Sequence, residues 1–249
     1  MPAQYPTSQI ALLSRDSVQL WLLQEPVDLA AGRADTFAAW LDKEERERWQ
    51  LFQRVNDRQS FLLAHGLVRG VLARYCGCEP AALRFSRDTH GKPHLLTQDA
   101  RLSALRFNLS HTRGFCVLAV TVDAEIGVDV EDERRAAEML ALAQRYFSPD
   151  EVQWLQQLDA SALRAGFFRL WTLKEAYVKA RGVGLKLGLD TFTIGFAGAG
   201  EPRLLLSEDA DASQWSCHSF SHAEHFHIGA FVHSSTATWQ IIHLGSDEL

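Results

Sequence analysis

Gly127-Val128-Asp129-Val130-Glu131 and Trp171-Thr172-Leu173-Lys174-Glu175-Ala176-Tyr177-Val178-Lys179 are the two stretches on which the reading of this chain turns. The first is a β-branched run whose acidic side chains stand two residues apart. Strand period two puts Asp129 and Glu131 on one face, roughly 6–7 Å apart, with Val128 and Val130 on the other. The second places Glu175 and Lys179 one helical turn apart, with Trp171 a turn earlier. Phe167, Phe168, Leu170 and Val178 make that helix apolar around most of its circumference, so it is expected to be buried. A buried charge needs a partner, a metal or an anion. If the helix brings Glu175 to the Asp129 face, three carboxylates converge on a site suited to a hard divalent cation and phosphate oxygens. Each motif alone also fits solvated charge: an acidic strand end running into Asp132-Glu133-Arg134-Arg135, and an exposed Glu–Lys pair contributing only about 0.2–0.5 kcal/mol.

Around these motifs the order strand, helices, strands occurs twice. A strand over 18–23, ended at Pro26, precedes helices over about 35–52 and 57–75; the second carries the stripe Phe61, Ala64, Leu67, Val68, Val71, Leu72 and stops at Cys76-Gly77-Cys78-Glu79-Pro80. Strands follow at 83–86, 106–109, 115–122 and 126–130. A helix over 135–146 comes next, then Ser148-Pro149-Asp150-Glu151, a helix start with Ser as N-cap, Pro at N1 and Glu at N3. A further helix over 161–180 ends at Arg181-Gly182. Strands are expected at 191–196, 203–206, 215–220, 226–232 and 239–243, with Gly195 to Gly200 a glycine-rich turn. The pattern predicts an α+β protein in two similar-sized halves, residues 1–123 and 124–249, with a ligand cleft between them.

The chain has 249 residues, 47% hydrophobic and 22% charged, enough for a full core. A formal charge of −6 argues against a general nucleic-acid binder, so a phosphate site must be a local basic patch. Cys76, Cys78, Cys116 and Cys217 match neither a zinc module nor a disulfide framework, which points to a reducing compartment. Neither a signal peptide within Met1 to Asp16 nor a membrane-length apolar run is visible, so a cytosolic protein without membrane partners is expected.

Supporting motifs lie in the first half. Arg106-Phe107-Asn108-Leu109-Ser110-His111-Thr112 reads as a strand entering a turn or helix start, where Ser110, the amides after it and His111 could hold phosphate, or merely cap a turn. Gly91-Lys92-Pro93 is a turn with a cation on it, and Arg48, Arg54 and Arg58 form a basic edge. His218, His222, His225 and His227 crowd the last strands without a cysteine or carboxylate to complete a zinc set. No P-loop, nucleophile elbow or dinucleotide fingerprint is present.

Taken in order, Gly91-Lys92-Pro93, Asn108-Leu109-Ser110-His111, Gly127 to Glu131 and Trp171 to Lys179 resemble the motifs of the Sfp-type 4'-phosphopantetheinyl transferases over roughly residues 40 to 195. The resemblance implies a pseudo-two-fold monomer and transfer of 4'-phosphopantetheine from coenzyme A to a serine of an apo acyl or peptidyl carrier protein, with release of adenosine 3',5'-bisphosphate. By position it implies that Asp129, Glu131 and Glu175 ligate Mg2+ (or Mn2+). Lys179 and His111 would contact pyrophosphate, with Ser110 nearby, and Glu175 or Glu131 would be the general base. Arg48, Arg87 and Lys92, between Gly91 and Pro93, would meet the 3'-phosphate and adenine, and Asn108 would help hold the nucleotide. Where some relatives carry a basic residue for the 3'-phosphate this chain has Ser60, and Arg58 offers a substitute. The rival readings are a noncatalytic coenzyme A or nucleotide-binding module and a metal-dependent phosphohydrolase.

Overall fold

The computed structural model describes residues 13–14, 16–24, 31–184, 187–197, 200–207, 211–245 and 248–249. Pro26, most of the Met1 to Asp16 segment and the middle of the Gly195 to Gly200 turn lie outside them. The chain divides into two compact units, Met1–Asp123 with Gln240–Leu249, and Ala124–Trp239. Both mix helices and strands, as the α+β reading requires.

The first unit is built on a four-stranded sheet. Strands β1 (Ser17–Gln24), β4 (Leu105–Thr112) and β5 (Phe115–Val122) pair antiparallel, with β5 in the middle. The last strand of the chain, β11 (Thr238–Leu244), lies on the far side of β1. The final ten residues therefore belong with the first unit, not with the half the sequence assigned them to. Which sheet edge a strand joins is a long-range matter on which its own alternation is silent. The long helix α3 (Val55–Cys76) packs Leu67, Val71, Leu72 and Tyr75 against Leu118 and Val120. It ends where expected, with Gly77 in the left-handed region at φ +62° as C-cap. Inside this core the Trp21 indole donates to the Tyr75 hydroxyl at 2.9 Å, which in turn donates to Gln19.

Two expectations fail locally in this unit. The single helix over 35–52 is two helices, α1 (Ala31–Trp40) and α2 (Lys43–Leu51), broken at Leu41-Asp42. Asp42 is extended, its carboxylate accepts from the Glu45 amide at 2.9 Å, and Glu45 accepts from the Asp42 amide at 3.1 Å. This capping box starts a new helix inside a continuous run of helix formers. The second miss is at Ser110-His111-Thr112, which is no helix start: β4 runs on to Thr112 and pairs with β5 (His111↔Cys116, Thr112↔Phe115) around Arg113-Gly114. There is accordingly no helix N-terminus after Ser110 to hold an anion. Between α3 and the short helix α4 (Ala100–Ser103) stands a small hairpin of β2 (Phe85–Arg87) and β3 (Pro93–Leu95).

The second unit centres on the order β6-β10-β9, with β6 (Ile126–Asp132), β9 (Ser216–His222) and β10 (Phe226–Val232) antiparallel. Helix α7 (Leu163–Arg181) lies along β6 and β10. Helices α5 (Met139–Tyr146) and α6 (Pro149–Gln157) and the hairpin β7 (Phe192–Ala197) and β8 (Glu201–Ser207) complete it. Among the described residues no helix is long and apolar enough to cross a membrane.

Candidate active site

In the second unit, glycine decides how the two diagnostic stretches meet. A β-carbon on Gly127 would stand 2.0 Å from the Ala176 carbonyl oxygen and 2.3 Å from the Ala180 amide nitrogen. On Gly229, the cross-strand partner of Asp129, it would stand 2.6 Å from backbone atoms of Thr172 and Leu173. Both strands thus present bare backbone to α7, and the helix lies directly on the sheet. At that separation Lys179 reaches Asp129: its Nζ donates to Oδ1 at 2.7 Å and to the Val128 carbonyl at 3.2 Å. Asp129 is only 6% exposed, whereas the Lys179 side chain keeps 30% of its surface in solvent.

Glu131, on the same strand face, is held by Arg135, whose Nη1 donates to both carboxylate oxygens at 2.7 and 2.8 Å. Glu175 and Glu131 both titrate above the ordinary glutamate range. Burial is the larger cause for each and the charge of Asp129 the next, partly offset by Lys179, and at Glu131 also by Arg135. The three acids therefore share one field although they sit on different elements. Among the described residues no three His, Cys, Asp or Glu side chains are gathered as a ready-made metal cluster. The side chains of Asp129, Glu131 and Glu175 nevertheless fit a small hard cation: each offers only carboxylate oxygens, and their mutual repulsion is what a divalent ion would relieve. Lys179 and Arg135 supply positive charge at Asp129 and Glu131 in this structure.

Lys174 and Glu151, whose pairing the sequence did not disclose, form the frame behind this face. Lys174 is 0% and Glu151 1% exposed, and the ammonium sits 2.6 Å from both carboxylate oxygens. Lys174 also donates to the Phe192 carbonyl, while Glu151 accepts from the Ser148 and Ile194 amides. The pair ties α6, α7 and β7 together. Burial drags the Lys174 ammonium down to about 8, against the opposing pull of Glu151. A signal was there: Lys174 lies between Leu170 and Val178 on the helix stripe, a position that is buried unless the stripe is interrupted. The histidine-rich end holds separate contacts instead: His227 bonds Glu133 at 2.6 Å and His218 stacks on Trp239.

In the first unit, Arg48, Arg87, Pro93, Asn108 and His111 line one cavity of about 290 Å³, with Glu45, His65 and Phe107 among its other walls. His65 had no place in the sequence reading; its ring stacks on Phe61 at 3.8 Å between centroids, and burial pushes its pKa down to about 4, so it is neutral. His111 also borders a second cavity, of about 450 Å³, with Arg54, Ser60 and Arg113. Strand alternation puts Ser110 on the other face of β4 from His111, where it is buried. Gly91, at φ +86°, closes the turn between β2 and β3, and the Asp88 carboxylate accepts from the His90 and Lys92 amides. That turn presents Lys92 beside Pro93, outside the residues that wall either cavity. Arg58, the expected substitute at the 3'-phosphate, donates to the Phe52 and Gln50 carbonyls at the end of α2.

Comparison with known proteins places the chain. Residues 125–232 match the 4'-phosphopantetheinyl transferase superfamily, and residues 32–123 the 4'-phosphopantetheinyl transferase N-terminal family. The 4'-phosphopantetheinyl transferase HetI of Nostoc sp. is 37% identical over 176 residues, covering 71% of this chain and 73% of that protein. A 4'-phosphopantetheinyl transferase of Bacillus subtilis is 32% identical over 166 residues, covering 67% and 71%. A holo-(acyl-carrier-protein) synthase from Bacillus anthracis, solved in complex with CoA, is 25% identical over 43% of this chain and 93% of its own, at a TM-score of 0.37. The chain belongs to the 4'-phosphopantetheinyl transferase superfamily. It is a transferase that moves 4'-phosphopantetheine from coenzyme A to carrier proteins.

Proposed function

We propose that the transfer is magnesium-dependent, with Asp129, Glu131 and Glu175 as the protein ligands and manganese as the alternative ion. The observation that carries this reading is the coupling of the three acids. Lys179 reaches Asp129 at 2.7 Å, and the Asp129 charge raises both Glu131 and Glu175. Held by these three carboxylates, an ion would supply Lewis-acid charge at the pyrophosphate, easing approach of the serine oxygen to phosphorus. Lys179 neutralises charge that grows on the leaving adenosine 3',5'-bisphosphate. Glu175 accepts the proton of the carrier serine, directly or through water. It is favoured over Glu131 because Arg135 takes both Glu131 oxygens, and a carboxyl raised by burial is better matched to that task. In the first unit His111 contacts the pyrophosphate, and Arg48, Arg87 and Lys92 take the 3'-phosphate and adenine end. Gly91 and Pro93 shape that turn, Asn108, which lines the same cavity, helps hold the nucleotide, and Ser110 supports the strand carrying His111.

Incubating the chain with an apo carrier protein, coenzyme A and Mg2+ tests this. Mass spectrometry should show the carrier gaining one phosphopantetheine, with loss of the gain under chelation and recovery with Mg2+. Transfer that survives chelation would overturn the metal assignment. Hydrolysis of coenzyme A without carrier modification would favour a phosphohydrolase, and binding alone a noncatalytic module.

A further inference from the structure

We infer that Arg69 is a positioning residue that sets the distance between the two basic walls of the first-unit cavity, and so controls recognition of the 3'-phosphate of coenzyme A. The inference rests on the nucleotide-end assignment made above. Arg69 lies in α3, is 0% exposed, and is absent from the residues that wall the cavity. Its guanidinium has five N–H donors in a rigid planar fork. Nε donates to Glu45 at 2.8 Å, and Nη2 lies 2.9 Å from Asp42 and 2.6 Å from Glu45. Nη1 donates to the carbonyls of Pro80 and Leu83 at 3.0 and 3.1 Å.

Those partners fall into two groups. Asp42 and Glu45 are the capping box that starts α2, and one turn on from Glu45 stands Arg48. Pro80 and Leu83 lead directly into β2, which carries Phe85 and Arg87, and the guanidinium lies over the Phe85 ring at 5.2 Å. One side chain thus grips the element bearing Arg48 with one edge and the approach to Arg87 with the other. Both arginines border the same cavity.

Charge adds a second effect. Glu45 borders the cavity too, and its carboxylate would repel a phosphate there. Arg69 neutralises it from behind, leaving Arg48, Arg87 and the imidazole of His111 to face the ligand. Lysine at position 69 would keep the charge but lose the fork, since an ammonium has three donors about one nitrogen and cannot hold carboxylates and carbonyls on opposite edges.

The test compares coenzyme A with 3'-dephospho-coenzyme A in full-length chain, Mg2+ and apo carrier, using Arg69→Lys and Asp42→Asn. Asparagine still caps a helix, so Asp42→Asn removes one charged partner of Arg69 while keeping α2 started. For Arg69→Lys, KM for coenzyme A should rise about tenfold, equivalent to one misplaced charge-assisted hydrogen bond, with kcat within about twofold. KM for 3'-dephospho-coenzyme A should move little, so the preference between the two substrates shrinks. Asp42→Asn should shift the preference the same way by about threefold. A merely structural role would lower activity with both substrates and leave the preference intact. That result in both variants, or in Asp42→Asn alone if Arg69→Lys does not fold, overturns the inference. A wild-type chain that transfers phosphopantetheine equally well from both substrates also overturns it, with the transferase reading intact. No binding of coenzyme A by the wild type would overturn both.

Discussion

Gly127 lies against the carbonyl of Ala176 so closely that a single methyl group cannot be inserted between strand and helix: its β-carbon would stand 2.0 Å from that oxygen. Because the obstruction is backbone, no rotamer change relieves it. Gly127→Ala should therefore destabilise the second unit by about 3 kcal/mol or more, at the upper end of overpacking costs. Gly229→Ala, which meets backbone at 2.6 Å, should do the same to a lesser degree. Urea unfolding followed by tryptophan fluorescence reads both, and a midpoint unchanged in Gly127→Ala would contradict the close approach.

Removing a ligand is a different matter from removing the approach. Asp129→Ala deletes the acid that couples Glu131, Glu175 and Lys179, without touching the glycine contact. Carrier modification should fall by at least about a hundredfold, the several kcal/mol that a Lewis-acid ion supplies. The unfolding midpoint should move much less than in Gly127→Ala, because the Lys179 side chain left behind is 30% exposed and Glu131 and Glu175 lose a repelling neighbour. Near-normal transfer would remove Asp129 from the metal site.

The Lys174–Glu151 pair answers to stability first. Lys174→Met leaves a buried carboxylate without its cation and should cost about 3–5 kcal/mol. Adding Glu151→Gln, which keeps an acceptor for the Ile194 amide, should recover a large part of that loss. A double-mutant cycle in denaturant measures it; strictly additive losses would mean the two side chains do not act as a pair.

The raised carboxyls set the sign of a pH dependence. A glutamate whose folded pKa lies above its unfolded value holds its proton more tightly when folded. The stability contributed by Glu131 and Glu175 is thus present below the ordinary glutamate value and lost as pH rises through the folded value. An ion that binds the ionised forms must displace those protons. Mg2+ titrated calorimetrically into the full chain should show affinity that climbs with pH across this window. Proton release should be visible as a heat that changes with the buffer's ionisation enthalpy. Binding that is independent of pH there would count against Glu131 and Glu175 as ligands.

Periodicity alone carried much of the description. The apolar stripe from Phe61 to Leu72, the capping box at Ser148 to Glu151 and the alternation over 226–232 each specify an element through contacts within a few residues. Local signals failed where a competing local signal or a distant partner won. Asp42 broke a helix that composition would have continued, and the pairing of His111 with Cys116 extended a strand that looked like a turn. The site divided the same way. Asp129, Glu131, Glu175 and Lys179 announced themselves by spacing, whereas His65 and Arg69 are ordinary helix residues until the cavity beside them is seen.

From its order of residues this protein had its class, its two diagnostic acid motifs and most of its elements settled, because helix and strand periods and family motifs are properties of neighbouring residues. Only the tertiary structure decided that Lys179 pairs with Asp129, that Lys174 is locked to Glu151, and that the chain's last strand pairs with β1. Those outcomes depend on which surfaces can come within bonding distance. At Gly127 and Gly229 that distance was granted by the absence of a side chain, a fact with no meaning until the helix is laid against the sheet.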